Sequence, residues 1–171
     1  MVNQINYGIA FGSNLGNRLS NLRQAKRLLL HHCPNPDDVI YSPIYETQPV
    51  NCAKGTNAFL NAAADFPFSL TPQEVLNLCI QIESAFERPQ KREENTPRKI
   101  DLDIIYAGTL VQNSKTLTIP HPRLYERRFV LEPLSAIMPT LILPSQKKSI
   151  LQHLTDIESS EQSLRKITCT W

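Results

Sequence analysis

Ten residues, Pro97-Arg98-Lys99-Ile100-Asp101-Leu102-Asp103-Ile104-Ile105-Tyr106, restrict the folds open to this chain more than any other stretch. On an extended strand Ile100, Leu102, Ile104 and Tyr106 share one parity and Asp101 and Asp103 the other. One face is then apolar, and the opposite face presents two carboxylates pointing the same way. Side chains two positions apart on a strand stand about 6.5–7 Å from each other, and like charges at that spacing repel unless a cation lies between them. A divalent ion answers that requirement, and Arg98 and Lys99 just ahead of the strand attract further anion. The alternative is a solvent-facing edge strand with two inert aspartates.

Length and charge narrow the rest. The chain has 171 residues and a formal net charge of +2. That is enough chain for one domain with a sizeable core, and too little charge to argue for a nucleic-acid or membrane surface. Residues 1–171 are expected to form a single domain, with its core over about 5–157 and a polar tail over 158–171. No apolar run approaches the length of about 18 residues that a spanning helix needs. Met1 to Ile9 lacks the basic and apolar regions of a secretory signal. Cys33, Cys52, Cys79 and Cys169 are scattered without a CxxC pair, so they read as reduced thiols and the chain as cytoplasmic.

Ile5 to Phe11 reads as a first strand, ended by the turn Gly12-Ser13-Asn14-Leu15-Gly16-Asn17. That turn lacks the closing Lys-Ser/Thr of a P-loop and the spacing of a dinucleotide fingerprint. A tight turn with Asn17 as helix N-cap is favoured over a phosphate cradle. Leu19, Leu22, Ala25, Lys26 and Leu29 recur at helical spacing until Pro34 and Pro36 end the helix. His31 and His32 in its last turn read as surface residues. Val39 to Thr47 is strand-like but interrupted by Pro43. Asn57 to Phe66 looks like a returning strand, with Phe59, Asn61 and Ala63 on one face. Asn61 needs partners for its amide; it could offer a donor and an acceptor to a heterocycle, or simply bond a neighbouring loop.

Thr71-Pro72 with Glu74 opens a second helix. Its buried stripe is Val75, Leu76, Leu78, Cys79, Ile82 and Phe86, and Glu83 stands near its end. Glu87 to Pro97 is a charged loop bounded by prolines, placed to close over an anionic substrate. Leu110 to Gln112 reads as a short hairpin partner of the aspartate strand, and Leu117 to Pro122 as extended chain. Leu141 to Leu143 reads as a last short strand and Ser149 to Ile157 as a helix. His121 with Arg127 and Arg128 forms a second cationic cluster suited to phosphate oxygens.

No serine or cysteine lies in a nucleophile motif, and no His/Glu spacing suggests a zinc hydrolase. A dicarboxylate strand with arginines on loops instead suits phosphoryl-type transfer, which needs carboxylate-held Mg²⁺ on phosphate oxygens and cations to absorb developing charge. The motif Arg98-x-x-Asp101-Leu102-Asp103-Ile104 is accompanied, in order along about residues 7–144, by Gly12-Ser13-Asn14-Leu15-Gly16, Tyr45-Glu46-Thr47, Phe59-Leu60-Asn61-Ala62, Ile82-Glu83, Pro120-His121-Pro122-Arg123-Leu124 and Arg127-x-Phe129-Val130-Leu131. This ordered set resembles the 6-hydroxymethyl-7,8-dihydropterin pyrophosphokinases of folate biosynthesis.

The resemblance implies an α+β, ferredoxin-like sandwich with a mainly antiparallel sheet. It also implies Mg-dependent transfer of pyrophosphate from ATP to the pterin hydroxymethyl group, releasing AMP. By the same resemblance Asp101 and Asp103 would bind two Mg²⁺, and Arg88 and Arg98 would neutralise phosphate charge. Glu83, Ile104, His121 and Arg127 would line the nucleotide site. Phe59 and Phe129 would sandwich the pterin, whose edge Asn61 and backbone groups of Thr47 and Val50 would read. A monomer binding ATP and the pterin is expected, without nucleic-acid or membrane partners and with association to other folate-pathway enzymes. The chain departs from the family pattern where Glu87 and Gln90 replace the outer residues of Gly-Arg-x-Arg, where Asn95-Thr96 replaces Trp-Gly, and at Thr116, where arginine is common. A catalytically weak pterin- or nucleotide-binding homologue acting through a partner is the alternative. A metal-dependent nucleotide hydrolase is the third reading.

Overall fold

Along β1 (Ile5–Ser13) large and small residues alternate, Tyr7, Ile9 and Phe11 against Gly8, Ala10 and Gly12. The computed structural model describes residues 4–48, 57–86, 97–157, 164–168 and 170–171, and in it that alternation separates two layers of packing. Helices α1 (Arg18–Leu30) and, later in the chain, α2 (Pro72–Ala85) lie on the Tyr7 side. They bury Leu22, Ala25, Leu29, Val75, Leu78 and Ile82 against the sheet. Between them run β2 (Ile40–Tyr41), β3 (Ile44–Thr47) and β4 (Phe59–Phe68), with Ser42-Pro43 separating the first two. The chain continues through β5 (Asp101–Ala107), β6 (Gln112–Asn113) and β7 (Thr118–Ile119) to α3 (Arg128–Ile137), α4 (Ile150–Asp156) and β8 (Leu164–Thr168). Helices α3 and α4 cover the Ala10 side, where Val130, Leu131, Leu134, Ile150 and Leu154 pack with Ala63, Ile105 and Tyr106.

The sheet order is β5-β1-β4-β3-β8, with β2 also on β4, and its pairings are antiparallel. The run β1-α1-β3-β4-α2-β5 within it is the split βαβ arrangement of a ferredoxin-like α+β fold, as expected. Local capping signals set the helix starts. Asn17 accepts from the Ser20 amide, Thr71 and Glu74 form a reciprocal capping box with Pro72 in the first turn, and Ser149 and Gln152 form another. His31 and His32 are exposed. Among the described residues no helix is long and apolar enough to cross a membrane.

Four expectations need correction. Tyr106 does not share the face of Ile104: the register shifts between Gly8 and Ile9, a bulge that places Ile105 and Tyr106 both on the α3/α4 side. Gly8 makes the space, because a Cβ there would sit 2.2 Å from Tyr106 Cε1. Leu110 to Gln112 is no hairpin partner of β5; Gln112 pairs instead with Ile119 in a separate two-stranded ribbon. Leu141 to Leu143 is irregular, since the backbone of Leu141 is engaged by the start of α4 through Ile150 N–H. The supposed polar tail contributes β8 to the sheet and buries Trp171.

Candidate active site

The small residues of β1 form the floor of a trough. Gly12 lies between Asn61 on β4 and Asp101 on β5, and Ala10 lies between Ala63 and Asp103. Over this floor opens a cavity of about 160 Å³ lined by Phe11, Thr47, Gln48, Phe59, Asn61, Arg98, Asp101, Asp103, Arg127, Phe129 and Val130. One end is aromatic and amide-bearing; the other carries alternating charge.

At the charged end each aspartate has an arginine. Arg98 Nη1 lies 2.7 Å from Asp101 Oδ1, and Arg127 Nη1 lies 3.2 Å from Asp103 Oδ2. These side chains are between 20% and 35% exposed, so the pairs are partly desolvated yet reachable from the cavity. The Arg127 guanidinium also stands 5.8 Å from the Phe129 ring centroid, a cation–π distance. At the other end the Asn61 amide donates to Thr47 Oγ1 at 2.8 Å, and both residues are buried. The Asn61 carbonyl oxygen faces the space above Gly12, 3.7 Å from where a Cβ would be.

The strand carrying the aspartates is held from two sides. Glu83 of α2 is buried, and its Oε1 accepts from the Leu102 amide, between the two aspartates, at 2.9 Å. Across the strand entry, Ser13 Oγ donates to Lys99 O at 2.5 Å, Asn14 N donates to Arg98 O at 3.1 Å, and Arg98 N donates to Asn14 Oδ1 at 2.7 Å. The Gly12–Asn17 turn is thus a tight turn, and its buried Ser13 and Asn14 fix the backbone of Arg98. Sequence reading did not single these two out. The signal was there in a Ser-Asn pair directly after a buried strand, where backbone groups need side-chain partners.

Not every expected residue reaches the cavity. Thr47, Phe59, Asn61, Arg98, Asp101, Asp103, Arg127 and Phe129 are brought together. Ile104 lies in the core on the α1/α2 side, and Glu83 lies behind the strand. His121 is half-buried beside the charged end. Its backbone N–H donates to Ile105 O at 2.8 Å and its Nδ1 accepts from Arg123 N at 3.1 Å. Burial holds this imidazole below the usual histidine range, Asp103 pulls it back up, and Arg127 and Arg123 push it down again. An imidazole with Nδ1 accepting carries its proton on Nε2 and can donate from there. Val50, Arg88 and the altered loop positions Glu87, Gln90, Asn95 and Thr96 lie outside the described residues, as do Cys52 and Cys169.

The donor set also tests what cation would suit the site. Among the described residues no three His, Cys, Asp or Glu side chains converge to cage a metal. Two partly exposed carboxylates on one strand face fit Mg²⁺, which takes one or two carboxylates and completes its shell with substrate phosphates and water.

Fold and cavity together define an α+β protein whose sheet face carries two Asp–Arg pairs beside an aromatic slot. Residues 8–139 match the sequence profile of 7,8-dihydro-6-hydroxymethylpterin-pyrophosphokinase (HPPK). The 2-amino-4-hydroxy-6-hydroxymethyldihydropteridine pyrophosphokinase of Bacillus subtilis is 43% identical over 136 residues, covering 80% of this chain and 79% of that protein. A folate synthesis bifunctional protein of Arabidopsis thaliana is 36% identical over 151 residues, covering 88% of this chain but only 31% of its own length. The solved structure of Plasmodium falciparum HPPK-DHPS, wild type with pteroate, superposes with a TM-score of 0.70 at 13% identity, over 90% of this chain and 44% of that one. That last likeness concerns the fold alone. The chain belongs to the HPPK family, and it spans less than half the length of the bifunctional relatives it matches.

Proposed function

We propose that this chain transfers the β,γ-pyrophosphoryl group of ATP to the hydroxymethyl group of 6-hydroxymethyl-7,8-dihydropterin, giving AMP and the pterin diphosphate for folate synthesis. Residues 1–171 act as one domain in this reaction, monomeric and cytoplasmic, next to other folate-pathway enzymes. One observation carries the reading. One cavity over a single sheet face gathers the Asp101–Arg98 and Asp103–Arg127 pairs at one end and Phe59, Phe129 and the Thr47–Asn61 pair at the other.

Flat bicyclic rings stack well between offset aromatic faces, so Phe59 and Phe129 take the pterin. Asn61, oriented by Thr47, presents its carbonyl oxygen to the N–H groups of the ring edge. The hydroxymethyl arm then extends toward the charged end, where its oxygen attacks the β-phosphorus. A bond forms between that oxygen and the β-phosphorus as the hydroxyl proton is released to solvent. The β-phosphorus bond to the α,β-bridging oxygen breaks, so that AMP leaves with the bridging oxygen. Arg98 and Arg127, already at the carboxylates, share the negative charge of the phosphates, and the His121 Nε2 proton adds a donor. Arg88 adds a further cation to the phosphates, and the nucleotide lies beside His121 at the charged end, where Glu83 and Ile104 back the aspartate strand from behind. Asp101 and Asp103 would hold the two Mg²⁺ ions, which when bound neutralise and orient the phosphate oxygens.

The test is incubation of the protein with Mg²⁺, ATP and hydroxymethyl-dihydropterin, with nucleotide products separated. AMP formed in step with pterin diphosphate is expected. ADP as product, or ATP consumed without pterin, would favour the nucleotide hydrolase. Pterin bound without turnover would favour the degenerate binding homologue.

A further inference from the structure

Behind the cavity floor, on the α1/α2 side, stands the only tryptophan of the chain. Trp171 is 9% exposed, and its indole N–H donates to Ser42 O at 2.8 Å, at the break between β2 and β3. Its ring meets Phe11 edge-on at 5.1 Å and 79°, and Tyr41 at 5.7 Å and 75°. The Lys26 ammonium donates to the Trp171 carbonyl and lies 4.3 Å from the Tyr41 ring centroid and 5.3 Å from that of Trp171. Desolvation there lowers the lysine pKa. A charged group placed in this way against two rings and a carbonyl is a deliberate anchor rather than a solvated surface residue.

What Trp171 touches is the reverse side of the cavity. Phe11 sits between Ala10 and Gly12, the two floor residues, and itself lines the cavity. Ser42 precedes the strand that ends in Thr47, and it is tied to β4 through Ser42 N to Ala63 O at 2.9 Å and Ala63 N to Ser42 Oγ at 2.9 Å. Strand β8, which leads into Trp171, pairs Leu164 with Thr47 and places Arg165 2.7 Å from Glu46. One side chain therefore bridges β1 and the β2–β3 break on either side of β4, the strand that carries Asn61.

We propose that Trp171 is a positioning residue for the pterin end of the site, setting the Gly12 floor and the Thr47–Asn61 pair through Phe11, Ser42 and β8. It never touches substrate. A binding edge fixed before the ligand arrives loses less freedom on binding, so the effect falls on pterin affinity. The charged end is held independently by Glu83, Ser13 and Asn14, so nucleotide handling is spared. Trp171 has this role only if the cavity takes a pterin, as proposed above.

The experiment compares the full-length protein with Trp171→Ala, Trp171→Phe and Lys26→Met, measuring kcat, both KM values and the denaturant midpoint. For Trp171→Ala the pterin KM should rise about tenfold while kcat and the ATP KM stay within about twofold. Trp171→Phe should recover part of that loss, since it keeps a ring against Phe11 but cannot donate to Ser42. Lys26→Met should give a smaller rise of the same kind, and it serves with Trp171→Phe if the alanine variant does not fold. A lowered midpoint with unchanged kinetic constants would make Trp171 a structural residue only and overturn the proposal, as would equal rises in both KM values. Wild-type protein that neither binds nor turns over pterin would overturn the functional reading itself, a separate outcome.

Discussion

Two rows cross the same face of the sheet and carry acidic side chains of opposite character. At one end Asn61, Gly12 and Asp101 lie side by side; at the other Asp65, Gly8 and Tyr106 do. Asp101 is 27% exposed and meets a guanidinium at 2.7 Å. Asp65 is 2% exposed and accepts from the neutral Asn6 amide at 3.0 Å. Burial raises the Asp65 pKa, an effect the Asn6 hydrogen bond offsets in part, and burial with Asp65 alongside pushes the Tyr106 phenol upward as well. The glycines differ in the same sense. The space above Gly8 is filled by the Tyr106 ring, whereas a Cβ on Gly12 would meet only Asp101 Cβ at 3.6 Å and Asn61 Oδ1 at 3.7 Å. A carboxylate on a strand face is therefore no sign of function by itself. Cationic partners and an open floor mark one end for ligands, and neutral partners with a filled floor mark the other for stability.

The largest effect that would sharpen this contrast is at Asp103. Asp103→Asn should lower turnover by about a thousandfold, as loss of a charged transition-state group does. The denaturant midpoint should hardly move, because the side chain is 35% exposed. An unchanged rate would break the functional half of the comparison. Gly8→Ala should do the reverse. Its Cβ would run into the Tyr106 ring at 2.2 Å, and overpacking of that kind costs about 1–3 kcal/mol. Urea unfolding should register that loss, while the folded enzyme keeps wild-type KM values. Gly12→Ala places a methyl at ordinary contact distance, so stability should hold. In the cavity, however, an added methyl should raise the pterin KM about tenfold. Equal effects of the two glycine substitutions on both readouts would erase the distinction between the ends.

What the sequence revealed of this contrast followed from how local each signal is. The aspartate strand, the Thr71–Glu74 box and the Ser42-Pro43 break each depend on neighbours within a few residues, and each is in place. The aromatic, amide and arginine members of the site were legible through an ordered set of motifs, and the cavity gathers most of them. Pairing between distant segments was not legible. Leu164 to Thr168 is short and mostly polar, and only Thr47, Phe11 and Tyr41, far away in the chain, give it and Trp171 a place. The bulge at Ile105 escaped notice because a one-residue slip reverses a face without changing composition. The bond from the Leu102 amide to Glu83 was equally hidden, because a helix carboxylate carries no local mark of the strand it will hold.

The smallest predicted effect concerns the buried end and is read in pH. Because burial raises the Asp65 pKa, the folded protein keeps that proton to higher pH than the unfolded chain does. The contribution of this group to stability is thus fully present below the ordinary carboxyl range and is lost as pH rises through the raised value. Asp65→Asn has no proton to release, and its oxygen can still accept from Asn6. Its unfolding free energy should match wild type within about 1 kcal/mol in mild acid, the net worth of one hydrogen bond, and gain on wild type toward neutral pH. The same substitution should leave the pterin and ATP KM values unchanged, since the cavity does not include Asp65. A gain on wild type toward acid instead would mean that Asp65 is held charged by an unseen cationic partner. The two ends of the face would then be electrostatically alike, and the contrast between them would rest on the glycines alone.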